Sequence, residues 1–224
     1  MKQKIILAGG AITSQILLDY LRLDDRYEVV GVTVDDEFVA QCHMDGLGVV
    51  GLTEILSTFP SDIHRIIIAM GYHDLNRSRE NMFIKLKSMG YRIETYIHPE
   101  ARIYSRYPLG EGALIFPGAI IESHAQVGSN TLVWAGAVLA HHSRVGDHCW
   151  VAANAVISGQ AKVGNNTFIG VNATVVNEVA VGKNNIIGAN ALISKNTKAD
   201  SVYLARSAEP FRCSSEDYIK YFGI

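Results

Sequence analysis

Apolar positions are spaced in two different ways along this chain, and the change comes near residue 98. Before it, short apolar runs alternate with helical stripes. Residues 4–8 and 65–70 read as fully buried strands, 27–34 as a longer strand, 48–50 as a short one, and 91–97 as the last. Between them, Thr13 or Ser14 caps a helix running to Leu23, with Ile16, Leu17, Tyr20 and Leu21 at helical spacing. Thr53 opens a short helix, and residues 76–89 form a longer one. Buried strands alternating with helices predict a parallel sheet with right-handed crossovers, an α/β Rossmann-like unit over residues 1–97.

Beyond His98-Pro99, a dipeptide that disfavours helix, every sixth residue from Ile103 to Ile193 is Leu, Ile or Val without a break. The fourth residue after each is small (Ala113, Ala119 and Ala125, for example), with Tyr107, Val179 and Asn185 as the departures. A period of six is neither 3.6 nor 2. It predicts a parallel β-helix over residues 98–206, one short strand and one turn per hexad. The period fails after Lys198. Ser214 or Ser215 then caps a helix through Tyr221-Phe222 in the terminal segment 207–224, expected to pack on the end of the solenoid or on a neighbour.

With 224 residues, 48% of them hydrophobic, the chain can bury a sizeable core. A net charge of −2 without like-charge blocks argues against nucleic acid or an anionic membrane as the main partner. Three cysteines, odd in number and without metal spacing, fit a reducing cytoplasm. MKQKIILAGG lacks the marks of a signal peptide and no apolar run reaches membrane-spanning length, so a cytoplasmic location is expected.

Parallel sheets bind ligands beyond the carboxyl ends of their strands, which here means residues 9–14, Asp35-Asp36 and 71–79. Gly9-Gly10-Ala11-Ile12 departs from the dinucleotide fingerprint. It is either a tight turn or an anion-binding helix start. Asp35-Asp36 is either a ribose or base contact or a solvated turn. Arg77 or Arg79 is either a pyrophosphate partner or a surface residue at a helix start.

In the hexad region the interior is filled, so chemistry belongs to outward positions. Ala140-His141-His142-Ser143-Arg144 is the richest of these. No cysteine or carboxylate stands at zinc spacing around the two histidines, so no metal is expected. A satisfied surface histidine and a general base both remain open, the second because a reference pKa near 6.5 suits proton abstraction at neutral pH.

The hexads, the His98-Pro99 entry and the AHHSRVGDHCWVAANAVISG stretch together resemble the left-handed β-helix acyltransferases. With the domain in front, the similarity is to the bacterial branch of nucleotide-aminosugar N-acetyltransferases and sialic acid O-acetyltransferases. That resemblance implies three hexads per coil, so that residues 18 apart stack, a homotrimer, and acetyl-CoA lying between two β-helices as cosubstrate. It implies His141 as general base, deprotonating the amine of a nucleotide-linked amino sugar, with Gly159 one coil on binding the thioester oxyanion. Val171 and Ala189 would follow the pantetheine arm, and Trp150 would pack on that arm or the adenine. Ile12, Thr13, Ser14, Asp35, Asp36, Gly71 and Arg77 would hold the nucleotide. Many relatives carry an acidic residue after the catalytic histidine; here it is His142, which therefore either takes part or leaves orientation to another group. A role for His148 stays open. Sugar O-acetylation is the alternative, and a non-catalytic or zinc-binding β-helix, with His124 and His142 one coil apart, is a third.

Overall fold

The computed structural model describes residues 2–223. Strands β1 (Gln3–Ala8), β2 (Tyr27–Val34), β3 (Val49–Gly51), β4 (Arg65–Ile68) and β5 (Arg92–Ile93) form one parallel sheet in the order β3-β2-β1-β4-β5. The crossovers carry helices α1 (Ile12–Arg22), α2 (Ile55–Thr58) and α3 (Arg77–Ser88). Both faces of the sheet are covered. Ile5, Leu7 and Ile67 pack with Leu17, Leu18 and Leu21 of α1 on one side, and Ile6, Ile66 and Ile68 pack with Met82 and Leu86 of α3 on the other. This double burial explains why the strands read as unbroken apolar runs.

Two local expectations are corrected here. The N-cap of α1 is Ala11, with no side-chain cap; Ser14 lies inside the helix, fully buried, and its hydroxyl donates to the Gly9 and Ala69 carbonyls. A buried hydroxyl between two strand ends has better acceptors there than the helix start offers. The strand expected over 91–97 is two strands. Arg92–Ile93 closes the first sheet, whereas Tyr96–Ile97 pairs with Leu114–Ile115 and opens the β-helix.

The β-helix is built from two-residue strands on three faces. The first face runs from Tyr96–Ile97 to Val202–Tyr203 in seven strands, the second from Arg102–Ile103 to Leu192–Ile193 in six, and the third from Gln126–Val127 to Ala180–Val181 in four. Partners are parallel and 18 residues apart, as in Val138↔Val156 and Arg144↔Lys162, until the last coil, where Ile186 pairs with Val202. The inward hexad residues and their small companions form one continuous core. Thr131, Cys149, Thr167 and Asn185 stack inside it, and each gives its side-chain donor to a turn carbonyl: Gly146 from Thr131, Gly164 from Cys149, Gly182 from Thr167 and Asn185.

Each turn also contains one residue with a left-handed backbone. From residue 112 to 190, every sixth position has φ between 52° and 73°. The occupants are mostly Gly and Asn, the residues that tolerate this conformation best, together with His124, His142, His148, Gln160 and Glu178.

The two halves are joined directly. Outward side chains of the first face, among them Leu114, Phe116, Leu132 and Trp150, share a core with Leu17, Leu21 and Tyr27. Arg79 of α3 is fully buried and donates to the carbonyls of Asn130, His148 and Cys149 and to Asn76 Oδ1. Burial pushes its pKa down to about 9. Helix α4 (Ser215–Phe222) begins at Ser214, whose Oγ accepts from Asp217 N–H at 3.1 Å. The helix buries none of its described residues, so the expected packing on the solenoid end is not seen within one chain. No helix among the described residues is long and apolar enough to cross a membrane.

Candidate active site

The turn joining Val138–Leu139 to Arg144–Val145 carries Ala140, His141, His142 and Ser143 from the second face to the third. Ser143 points into the core and is buried, whereas both histidines are exposed. His142 takes the left-handed position with φ 60°, and its ring plane meets that of His141 at 80°. The two Nδ1 atoms are 3.3 Å apart, so one donates and the other accepts. One coil back, the His124 ring lies parallel to that of His142, with centroids 4.6 Å apart and 4° between planes, and its Nδ1 lies 2.8 Å from Ser123 Oγ.

One coil forward, Gly159 abuts His141. A Cβ on Gly159 would lie 2.6 Å from Cε1 and 2.7 Å from Nε2 of the imidazole, so only glycine admits the ring here. The Gly159 carbonyl accepts from Glu178 N–H, and among the described residues its own N–H has no partner. The backbone is pinned on either side. His141 N–H donates to Glu122 Oε2 at 2.8 Å, and Gln160 N–H donates to the His141 carbonyl at 3.0 Å. The arrangement presents an exposed imidazole beside a free backbone donor, the pair of groups that acyl transfer needs at a reacting carbonyl.

Val171 and Ala189 are also turn residues one coil apart, but they follow first-face strands and so lie at the next corner of the β-helix. Trp150 is not with them. It is an outward residue of the first face, 6% exposed, covered by Tyr72 at 5.1 Å between ring centroids and packed with Trp134. Its ring is covered there because the first face is where the N-terminal half docks. His148 is half-buried in the same seam. Its Nδ1 lies 2.9 Å from Asn130 Nδ2 and its Nε2 3.7 Å from Glu80 Oε1. Burial holds its pKa below the ordinary value, against the pull of Glu80.

A second concavity of about 320 Å³ opens at the carboxyl ends of β1, β2 and β4. Gly9, Gly10, Ala11, Asp35, Gly71 and His73 are on its wall. It brings Asp35 and Gly71 together as the sequence suggested, and Lys85 of α3 ties down Asp35 at 2.6 Å. The other expected nucleotide residues do not line it. Ile12 is 73% exposed on the first turn of α1, while Thr13 and Ser14 are buried beneath it. Asp36 accepts from the Thr53 N–H and hydroxyl, contacts that hold its pKa below the ordinary value. Arg77 is exposed at the start of α3, and Arg79, the other pyrophosphate candidate, is sealed into the seam.

Residues the sequence did not single out include Glu122 and the cleft side chains Phe38, Gln41 and Cys42. Glu122 was within reach of coil arithmetic, being 19 positions before His141. The cleft residues carry no periodic signal, because a 3-10 helix (Asp36–Gln41) delivers them.

Comparison with known proteins agrees with this fold. Residues 142–177 and 161–195 match the family described as bacterial transferase hexapeptide (six repeats). No curated protein sequence matches the chain. Among solved structures, the acetyltransferase domain of PglB from Neisseria gonorrhoeae FA1090 is 20% identical over 94% of this chain and all of its own, with a TM-score of 0.80. PerB from Caulobacter crescentus, solved with CoA and GDP-perosamine, is 25% identical over 89% of this chain and 92% of its own, with a TM-score of 0.78. WeeI from Acinetobacter baumannii AYE is 20% identical over 88% and 94%, with a TM-score of 0.79.

Proposed function

We propose that this acyltransferase, built on hexapeptide-transferase repeats and the fold of coenzyme A-dependent acetyltransferases, moves the acetyl group of acetyl-CoA onto the amine of a nucleotide-linked amino sugar. The observation that carries this reading is the exposed His141 imidazole against Gly159, whose N–H is unpaired among the described residues. The amine attacks the thioester carbonyl, so a C–N bond forms and the C–S bond breaks. His141 Nε2 takes the amine proton and returns it to the leaving thiolate. Gly159 N–H donates to the oxyanion while it exists. No acyl-enzyme is needed, since one neutral imidazole serves both proton transfers.

The Rossmann-like unit, residues 1–97, holds the nucleotide in the cleft of Gly9, Gly10, Asp35 and Gly71, where backbone approaches closely and the start of α1 offers free N–H groups. The β-helix, residues 98–206, carries the chemistry. Acetyl-CoA runs past Gly159 toward Val171 and Ala189 in a groove completed by a second copy of a homotrimer. PerB was solved with a nucleotide-linked amino sugar, which supports a substrate of this class.

The test is turnover of His141→Ala with acetyl-CoA and a panel of UDP-, dTDP-, GDP- and CMP-linked amino sugars. Loss of a general base is expected to lower kcat by roughly 10²–10⁴-fold, while the acetyl-CoA-induced thermal shift persists. A loss under about threefold removes His141 from this role, and a panel without any acetylated product removes the substrate class.

A further inference from the structure

We propose that His142, clamped against His124, is the acceptor that fixes the tautomer of His141. The inference rests on the reading of His141 as general base and supplies what that reading lacks, an orienting group. For His141 Nε2 to receive a proton it must carry a lone pair, so the ring hydrogen must sit on Nδ1, and that N–H needs an acceptor. Among the described residues, the one side-chain atom within hydrogen-bond distance of His141 Nδ1 is His142 Nδ1, at 3.3 Å. The bond then runs from His141 Nδ1–H to the His142 Nδ1 lone pair, and His142 carries its own hydrogen on Nε2.

Two structural features hold His142 in that pose. Its left-handed backbone, φ 60°, aims the ring across the turn instead of along it. The parallel His124 ring, 4.6 Å away, then fixes the ring plane. His124 is itself held by Ser123 Oγ and lies near Tyr107, with ring centroids 6.1 Å apart. Partial burial, then Arg106, then the His142 ring keep the His124 imidazole below its ordinary pKa. The charged groups that share the surface around His142 are Arg144 and Lys162 on the third face and Glu178 on the turn below, with Gln160 between them. Glu122 Oε2 accepts from the His141 backbone N–H. Among the described residues no carboxylate oxygen lies within hydrogen-bond distance of His141 Nδ1, so the histidine pair does the work of an acidic neighbour.

The site also supplies clean variants. Glycine and asparagine occupy the left-handed position at another corner of the β-helix, at Gly136 and Asn154, so His142→Gly and His142→Asn suit a left-handed turn. Asparagine places Oδ1 where histidine has Nδ1 and keeps an acceptor; glycine removes it. The first measurement needs no substrate. Two-bond 1H–15N correlation on histidine-labelled full-length protein at pH 8 reads each tautomer directly. Wild type and His142→Asn are expected to show His141 as the Nδ1–H form, and His142→Gly to shift it toward the Nε2–H form that a free histidine side chain prefers. In the acetyl-transfer assay, His142→Gly is expected to lose roughly tenfold or more in kcat, as wrong-tautomer variants do, with KM within twofold, and asparagine to recover most of that loss. A wild-type His141 in the Nε2–H form, or one whose tautomer does not respond to His142→Gly, overturns the proposal. Either result leaves the His141→Ala test of the base itself standing, so the two failures are distinguishable.

Discussion

The two halves of this chain are both parallel sheets with buried strands, yet they place their chemistry by different rules. In the N-terminal half, side chains that meet in the cleft come from segments separated by whole crossovers: Gly9 after β1, Asp35 after β2, Gly71 after β4. Their meeting depends on helix lengths and on which strand lies beside which. In the β-helix, neighbours are set by a count of 18, and Gly159 stands beside His141 because nothing interrupts three hexads. The first design lets a cleft be reshaped by any one loop. The second fixes every turn relative to every other and leaves only the identity of the turn residue to vary.

The seam between the halves is the place to break this contrast. Arg79→Met removes the donors to Asn130, His148, Cys149 and Asn76 from a buried interface and is expected to cost about 3 kcal/mol, from stranded acceptors and imperfect packing. Urea unfolding measures it, and a change under about 1 kcal/mol would mean that Arg79 does not tie the halves together. A smaller effect, confined to chemistry, is expected from Gly159→Ala. The new methyl would displace the His141 ring, and a shift near 1 Å is expected to lower kcat by roughly 10–100-fold with the melting temperature little changed. Unaltered kcat would show that the ring is not used where it stands. The smallest effect belongs to His148. Its folded-state pKa lies below its ordinary 6.5, so below that pH the unfolded chain binds a proton the folded one refuses. Stability is expected to fall as pH drops from 6.5 toward the folded value and to be full above it. His148→Asn, which suits φ 57°, should flatten that slope when urea midpoints at pH 7.5 and 5.5 are compared.

Legibility followed the same division. The inward hexads from Ile115 to Ile193 are all buried in one core, and the stacking of His142 on His124 and the nearness of Gly159 to His141 could be read by counting. The fate of Trp150 could not. Counting gives its coil and its outward direction but not which face another domain covers, and the first face is the covered one. Ser14 and Arg79 were hidden for a related reason. Each looks like an ordinary polar residue near a helix start, and only tertiary packing turns one into a strand-end tie within the first sheet and the other into a clasp across the seam. The two-residue strand Tyr96–Ile97 was absorbed into the sheet before it, because a short apolar pair does not declare which sheet it joins.

The row of left-handed turn residues carries a last consequence. Each such position demands a backbone angle, and away from the seam, where the Asn130 amide bonds Arg79 and His148, the side chain is free to vary in a rigid lattice. The turns behave as identical sockets on one rail. A histidine pair moved 18 residues along, together with the glycine that admits the base, would find the same distances waiting for it. The backbone frame of the site is thus repeated from coil to coil, a regularity the N-terminal cleft, assembled from unlike loops, does not have.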